Sequence, residues 1–236
     1  MPAAYDFRPN RDFTVGAPRP NVAAMAVMPV TSAQSAPQAL APLVVVGGSL
    51  GTGRELARQA GAAGREVRLV DQPESGAELR AALDGAAAVA IIPARTVTSL
   101  AAQVQAVLDV INAPATGPQI VVVTGFSIGH GLAHALNTPE RLADRRRAEE
   151  LVRCSGVPYT VVRPTWLTND PPGHYAVTLT QDALADGMIA RADLAMVCLA
   201  AVAQPAAQGT TFAVFAQPGP APRSWAPLFS ALRPDA

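Results

Sequence analysis

The sequence contains no lysine, because all 18 of its basic residues are arginine. Any mechanism that needs a lysine ammonium, a lysine Schiff base or a lysine general acid is therefore excluded. Acidic residues also number 18, so the formal net charge is zero, and there is no surplus of cations of the kind that nucleic-acid binding requires. No run approaches the roughly 18 apolar residues needed to cross a bilayer, so we expect neither a nucleic acid nor a membrane as partner.

Cysteine is scarce as well, with only Cys154 and Cys198 in the chain. Both lie in apolar stretches of predicted regular elements, which is typical of reduced thiols in a cytoplasmic protein. No histidine or cysteine cluster has the spacing of a metal site, and no Gly-x-Ser-x-Gly elbow occurs. The sequence predicts a cytoplasmic protein without a metal and disfavours a serine hydrolase.

The chain has 236 residues, which suits a single sizeable core. Residues 1–40 are rich in proline, alanine and serine, and they are either a flexible leader or an ordered arm that packs on the domain or joins two subunits in a homodimer. In residues 41–236 strands alternate with helices, which predicts an α/β domain with a Rossmann-like, doubly wound parallel sheet and a small substrate-loop region. The predicted strands are 43–46, 65–70, 86–92, 120–123, 159–162 and 211–215, and the predicted helices are 54–63, 75–83, 98–111, 139–153 and 192–203.

A glycine-rich loop follows the first strand and opens the first helix. Glycine at position 47 permits a tight turn off the strand, while Gly51 and Gly53 keep side chains away from a pyrophosphate and let the helix pack closely. The helix N-terminus offers free N–H groups to phosphate oxygens. A turn that merely needs flexible residues is the alternative. We expect dinucleotide contacts from Gly47, Ser49, Leu50, Gly51, Thr52 and Gly53.

Two nearby residues bear on the choice between NAD and NADP. Asp71 ends the second strand, where a carboxylate accepts hydrogen bonds from ribose hydroxyls and repels a 2′-phosphate. Arg54 follows the last glycine and could instead pair with a 2′-phosphate. Either residue could also be an ordinary surface residue.

Residues 43–217 resemble the atypical short-chain dehydrogenase/reductases of the NAD(P)H-binding, NmrA-like kind. Three stretches carry the resemblance: VVVGGSLGTGRELA, RRRAEELVRCSGVPYTVVRPTWL and GMIARADLAMVCLAAVAQPAAQGTTFAVF. The resemblance implies a Rossmann-like fold and a nicotinamide cofactor, with NADP preferred to NAD. In the third stretch Arg191 and Asp193 begin the helix that follows the substrate loop.

The sequence departs from the family pattern in three places. Leu50 replaces the middle glycine found in many relatives. The segment between Val70 and Ala86 is too short for the usual third strand, so we expect this edge strand and part of the adenine pocket to be missing. The Tyr-x-x-x-Lys pair would fall on Arg141 and Arg145, and an arginine is no proton donor at neutral pH.

Other residues at the carboxyl end of the sheet are candidates for the chemistry, since ligands bind at this end of open α/β folds. Ser127 corresponds roughly to the family serine that hydrogen-bonds a substrate oxygen. His130 could act as an acid or base, and Tyr175 could replace the missing proton donor. Trp166 would form an apolar wall beside the nicotinamide. Further cofactor contacts are expected from Pro93, Thr124, Arg145 and Pro164.

Three functions remain open at this point. The first is an NAD(P)H-dependent oxidoreductase acting on a small apolar carbonyl or enone, without the Tyr-x-x-x-Lys pair. The second is a non-redox isomerase, cyclase or lyase on the same scaffold, and the third is a non-catalytic, nucleotide-sensing regulator like NmrA. The substrate of either enzyme would be a small molecule.

Overall fold

A computed structural model describes residues 40–71, 76–93, 99–111, 117–135 and 137–236. The leader or arm predicted for residues 1–40, and with it the predicted homodimer contact, lies outside this range except for Leu40. None of the described helices is long and apolar enough to cross a bilayer.

The core of the domain is a sheet of seven strands. The inner strands are mostly apolar and rich in valine, as in Val44-Val45-Val46, because both of their faces are buried. The strands are β1 (Leu43–Val46), β2 (Val67–Val70), β3 (Ala88–Ile91), β4 (Gln119–Val123), β5 (Tyr159–Pro164), β7 (Ala176–Thr180) and β9 (Thr210–Gln217). Their order across the sheet is β2-β1-β3-β4-β5-β9-β7, and all neighbouring strands pair in parallel except β7 and β9.

Helices cover both faces of this sheet. Apolar residues of α1 (Gly51–Ala62), α5 (Arg191–Ala203) and α6 (Ala226–Ser230) pack on one face. Those of α2 (Gly76–Leu83), α3 (Leu100–Val110) and α4 (Pro139–Cys154) pack on the other. The predicted doubly wound, Rossmann-like architecture is therefore confirmed.

Helices α3 and α4 on the second face are linked by one carboxylate. Asp144 of α4 accepts hydrogen bonds from the backbone nitrogens of Leu100 at 2.8 Å and Ala101 at 3.2 Å, which are unsatisfied donors at the start of α3. It also accepts one from the hydroxyl of Ser99, the residue before α3. The α4 side chain thereby fixes the end of α3 that lies near the carboxyl edge of the sheet.

The edge strand beyond β2 is absent from the described residues, as predicted, because β2 pairs only with β1 there. The strand order reverses between β1 and β3, since β2 lies on one side of β1 and the later strands lie on the other. In open α/β sheets such a reversal leaves a crevice at the carboxyl ends of the strands, where ligands bind.

The region between β5 and α5 contains elements that the sequence did not predict. Strand β6 (Trp166–Thr168) pairs in parallel with β8 (Met188–Ala190) in a small second sheet, and β7 joins the edge of the large one. Strand β5 continues through Pro164 rather than stopping at Val162. Helix α1 begins at Gly51 instead of Arg54, so the last two loop glycines lie in its first turn.

Candidate functional site

The glycine loop between β1 and α1 has the geometry of a backbone cradle. Gly47 and Gly51 have φ angles of +82° and +57°, a region that favours glycine. A Cβ on Gly53 would lie 2.5 Å from the carbonyl oxygen of Gly47 and 2.8 Å from the Cα of Gly48, both of which are backbone atoms. The helix thus packs against the loop at a distance that only glycine permits.

The side chains around this loop divide into buried and exposed ones. Thr52 is buried, whereas Ser49, Leu50 and Arg54 are exposed, with 63 % of Leu50 accessible to solvent. The carboxylate of Asp71 accepts a hydrogen bond from the backbone nitrogen of Ser49 at 2.8 Å. Asp71 therefore holds the glycine loop in place, a role that the sequence analysis did not assign to it.

Two predicted cofactor contacts, Pro93 and Thr124, lie just after strands β3 and β4, and their surroundings differ. Pro93 lies just after β3 and is half-buried. Thr124 follows β4, is buried, and donates a hydrogen bond from its hydroxyl to Glu149 Oε1 at 2.9 Å. The side chain of Thr124 is thus engaged with α4, while its backbone remains at the carboxyl edge of the sheet.

Three polar side chains form the centre of the site, just beyond β4. The hydroxyl of Ser127 donates to Asn137 Oδ1 at 3.0 Å and accepts from Arg145 Nη1 at 3.1 Å. The amide nitrogen of Asn137 donates to the backbone oxygens of Ser127 and Gly131, at 2.6 and 2.7 Å. This network fixes the Ser127 loop, a short 3-10 turn over Phe126–Ile128, against the start of α4.

Arg145 occupies the position that corresponds to the family lysine. Its side chain packs on Gly125, where a Cβ would lie 2.8 Å from Nη1. Burial lowers the pKa of this guanidinium, and the positive charge of Arg141 adds to the effect. No carboxylate among the described residues lies within 4 Å of it. A half-buried cation without an ion-pair partner suits an anionic ligand or an oxygen that gains negative charge.

Four rings surround this centre on one side. Phe126 packs against His130, His134 and Trp166 with ring-centroid separations of 5.6, 5.1 and 5.6 Å. The indole of Trp166 also lies 5.6 Å from the His134 ring, and 44 % of Trp166 is exposed. The predicted apolar wall at Trp166 therefore stands beside the loop that carries Ser127, which brings two of the predicted residues together.

One polar atom in this cluster has no hydrogen-bond partner among the described residues, namely Nε2 of His130, and it is buried. The segment before β8 closes over the same loop, since a Cβ on Gly129 would lie 1.7 Å from the carbonyl oxygen of Ala183. The segment around Ala183 thus packs on the His130 loop but offers no hydrogen-bond partner to Nε2 of His130. A buried, unpaired ring nitrogen next to a loop at the carboxyl edge is a candidate for contact with a ligand.

Tyr175 lies at a different part of the carboxyl edge. It precedes β7, whose first residue pairs with Gln217 of β9, and it is 45 % exposed. Three strand spacings separate β7 from β4, or about 14 Å at roughly 4.8 Å each. Pro164, the last residue of β5, is buried beside Val214 of β9. The described contacts thus group Ser127, His130, Arg145 and Trp166, and leave Tyr175 apart.

Glu149 was missed because a run of mixed charges along a helix, such as the one in residues 139–153, is typical of a solvated face. Its carboxylate is buried and accepts hydrogen bonds from Arg163 at 2.9 and 2.6 Å and from Arg153 at 3.0 Å. Burial alone would raise the pKa of Glu149, but these guanidinium groups and Thr124 hold it below its ordinary value. The stretch RRRAEELVRCSGVPYTVVRPTWL, which carries the resemblance, contains Glu149 and was the one signal in the sequence that pointed to this residue.

The glycine cradle fits a dinucleotide, because the glycines at positions 47, 51 and 53 add no side chains of their own where the N-terminus of α1 can approach phosphate oxygens. Among solved structures, the fold is similar to a wide-type short-chain dehydrogenase/reductase from Veillonella parvula in complex with NADP. That similarity has a TM-score of 0.62 and 13 % identity, over 76 % of this chain and 95 % of that one. An anaerobillin reductase from Escherichia coli O157:H7 matches with a TM-score of 0.58 and 18 % identity, over 74 % and 96 %.

An uncharacterized chloroplastic protein of Arabidopsis thaliana is 33 % identical over 92 residues, which are 39 % of this chain. The chain thus spans about a third of the length of the curated relative it matches, since the segment covers 33 % of that protein. The NAD(P)H-binding family matches residues 54–205, from the residue after the glycine loop to the end of α5 and the turn beyond. The expected resemblance is confirmed, and this chain belongs to the NAD(P)H-binding family.

Proposed function

We propose that this protein is an NAD(P)H-dependent oxidoreductase that reduces a small apolar carbonyl or enone without a Tyr-x-x-x-Lys pair. The observation that carries the proposal is the half-buried Arg145 guanidinium. It is bonded to Ser127, has no described carboxylate partner, and lies beside the aromatic wall of Phe126 and Trp166. An apolar substrate with one polar oxygen matches that combination of a ring surface and a single cation.

The cofactor would be held by the glycine loop, with its pyrophosphate at the start of α1 and its nicotinamide toward the Ser127 loop. When bound, NAD(P)H supplies a hydride to the substrate carbon. We favour NADP over NAD because Arg54 is exposed directly after the loop, available for a 2′-phosphate. Asp71 favours NAD instead, since its negative charge would lie near that phosphate and repel it.

The side chains of the site would then act on the substrate oxygen. Arg145 donates hydrogen bonds to this oxygen and stabilises the negative charge that it gains, although the guanidinium keeps its own protons. Ser127 donates to Asn137 and accepts from Arg145, so its main effect is to orient the guanidinium. His130 delivers the proton from Nε2, the atom that has no partner among the described residues. Tyr175, in the substrate loop of residues 169–175 between β6 and β7, is the alternative proton donor.

A non-redox isomerase, cyclase or lyase is the second candidate. The position of β2 at the edge of the described sheet favours it, because the adenine side offers less surface for a nucleotide. Stereospecific transfer of deuterium from labelled NADPH or NADH to a product separates the two. Turnover without deuterium in the product would support the second candidate, as would turnover without added nucleotide.

Both cysteines are free thiols, which suits the cytoplasm.

Replacement of Arg145 tests the proposal directly. A panel of apolar aldehydes, ketones and enones, together with anaerobillin, is first screened for NAD(P)H oxidation. For any substrate found, we expect Arg145→Met to lower kcat by about 10²–10³, as expected for the loss of one charged donor to a developing oxyanion. The adjacent Arg146 is exposed on the same helix, so Arg146→Met removes the same charge away from the site.

The two variants should differ sharply in kcat while their melting temperatures remain similar. Equal activity of both variants would contradict the role of Arg145. His130→Gln provides a second test, because loss of the proton donor should change the pH profile of kcat, which loss of an orienting residue would not do.

A further inference from the structure

We infer that Arg191 is a cofactor-binding residue that holds the pyrophosphate of the nucleotide from the side opposite the glycine loop and ties that site to the substrate loop. This inference rests on the proposed function and adds a contact from outside the glycine motif. Arg191 is the first residue of α5 and follows β8 directly.

The position of Arg191 is set by packing between helices. Helix α5 lies along α1, and Gln59 of α1 donates a hydrogen bond to the backbone oxygen of Ala192 at 2.9 Å. This contact fixes the start of α5 beside α1, and the side chain of Arg191 reaches from there to the glycine loop. A Cβ built on Gly51 would lie 3.7 Å from Nε and 3.8 Å from Cδ of Arg191. The guanidinium therefore stands over the first turn of α1, where the pyrophosphate of a dinucleotide binds.

The charge of Arg191 is available to a ligand. Nη1 donates to the backbone oxygen of Thr168 at 3.1 Å and to Asn169 Oδ1 at 2.8 Å, both of which are neutral acceptors. Within the part of the chain that the structure describes, no carboxylate lies within 4 Å of the guanidinium. The five N–H donors of arginine match phosphate oxygens in pairs, and those on Nε and Nη2 have no protein acceptor among the described hydrogen bonds.

The same residue is bound to the start of the substrate loop. Thr168 ends β6 and Asn169 follows it, so the bonds from Nη1 fix the point at which this loop leaves the small sheet. Two residues further along α5, the buried carboxylate of Asp193 accepts a hydrogen bond from the backbone nitrogen of Gly173 at 2.8 Å. Both ends of the segment 168–173 are thus attached to the first turn of α5. A phosphate that shifts Arg191 would therefore also shift one of the two points at which this segment is held.

Calorimetric titration with NADPH and NADH compares the full-length chain with Arg191→Met, Arg191→Lys and a control, Arg80→Met. Arg80 is exposed on α2, which packs on the other face of the sheet, so its replacement removes one positive charge far from the loop. We expect Arg191→Met to weaken nucleotide binding by about 10- to 100-fold and Arg191→Lys by less, because lysine keeps the charge and loses the paired donors. Arg80→Met should bind within about twofold of the parent.

The link to the substrate loop has its own readout. Chymotrypsin cleaves after tyrosine, and Tyr175 is exposed in the loop. Saturating NADPH should slow cleavage after Tyr175, followed by mass spectrometry, in the parent and not in Arg191→Met. Affinity of both Arg191 variants within about twofold of the parent would overturn the assignment, and the lysine variant provides this test even if the methionine variant does not fold. Weakened affinity with unchanged protection would overturn the link, whereas absence of binding by the parent would contradict the proposed function itself.

Discussion

Gly53→Ala and Gly61→Ala place the same methyl group in the same helix and should change stability in opposite directions. A Cβ at position 53 would lie 2.5 Å from the carbonyl oxygen of Gly47, a backbone atom that can move only if the loop or helix shifts. A Cβ at position 61 meets no atom within 4 Å. The pair therefore isolates the close contact in the cradle from the general helix preference for alanine.

The magnitudes follow from two opposing effects. Overpacking of a rigid contact costs about 1–3 kcal/mol, and alanine gains about 0.5–1 kcal/mol over glycine inside a helix. Gly53→Ala should thus lower the free energy of unfolding by about 1–2 kcal/mol, while Gly61→Ala should raise it by about 0.5–1 kcal/mol. Because the loop must move at Gly53, this variant should also lose at least about tenfold in nucleotide affinity, which the Gly61 variant should keep.

Urea unfolding followed by circular dichroism gives both free energies, and calorimetry gives the affinities. If Gly53→Ala proved as stable as Gly61→Ala and bound nucleotide equally well, the cradle would not depend on the contact between Gly53 and Gly47. The reasoning would also be refuted if both variants were destabilised by the same amount.

Three further predictions concern single side chains. The pKa of Glu149 is lowered in the folded protein, so its carboxylate stabilises the fold above the ordinary pKa of 4.5, and this contribution is lost as the pH falls. In Glu149→Gln the free energy of unfolding should therefore decrease less steeply with falling pH than in the parent. Denaturation at a series of pH values measures this slope. Iodoacetamide should modify the exposed Cys154 in the native protein and reach Cys198 only after unfolding, since burial raises the pKa of that thiol to about 12; peptide mass mapping distinguishes them. Asp71→Asn keeps the acceptor for Ser49 and removes the negative charge, so the ratio of NADPH to NADH affinity should rise in paired titrations, and an unchanged ratio would contradict that placement.

The central sheet could be predicted from the sequence because its strands carry their own signal. The run Leu43–Val46 is apolar with three β-branched valines, is buried on both faces and is followed by glycine, so its predicted and observed limits coincide. The missing edge strand was also readable, since the chain between Val70 and Ala86 is short. These features are local, and composition over a few residues is enough to reveal them.

The substrate region could not be predicted in the same way. Strands β6 and β8 have three residues each, and their pairing joins Trp166 to Met188 across a long stretch of sequence. Trp166 and Met188 are also exposed, so no alternation of apolar and polar residues marks the strands. Their existence depends on tertiary pairing, which a single sequence does not display.

The charged residues of the site show the same division. The position of Arg145 followed from the family spacing, but its bond to Ser127 and its lack of a described ion pair depend on how α4 packs. Glu149 lies in a run of mixed charges that is typical of a solvated helix face, although it is buried and paired with Arg163 of β5. A run of mixed charges along a helix does not reveal which face the sheet covers, so the buried member of the run was visible only in the structure.

Titration of the unmodified protein with NADPH, NADH and their oxidised forms tests the central claim most directly. With a dissociation constant near 10 µM, a nucleotide at about 1 mM would stabilise the native state by about 2.7 kcal/mol and raise the melting temperature by about 5–10 °C. The account predicts a saturable heat signal and a shift of this order for at least one reduced nucleotide. No heat and no shift with any of the four at millimolar concentration would contradict a functional nucleotide site at Gly47–Gly53.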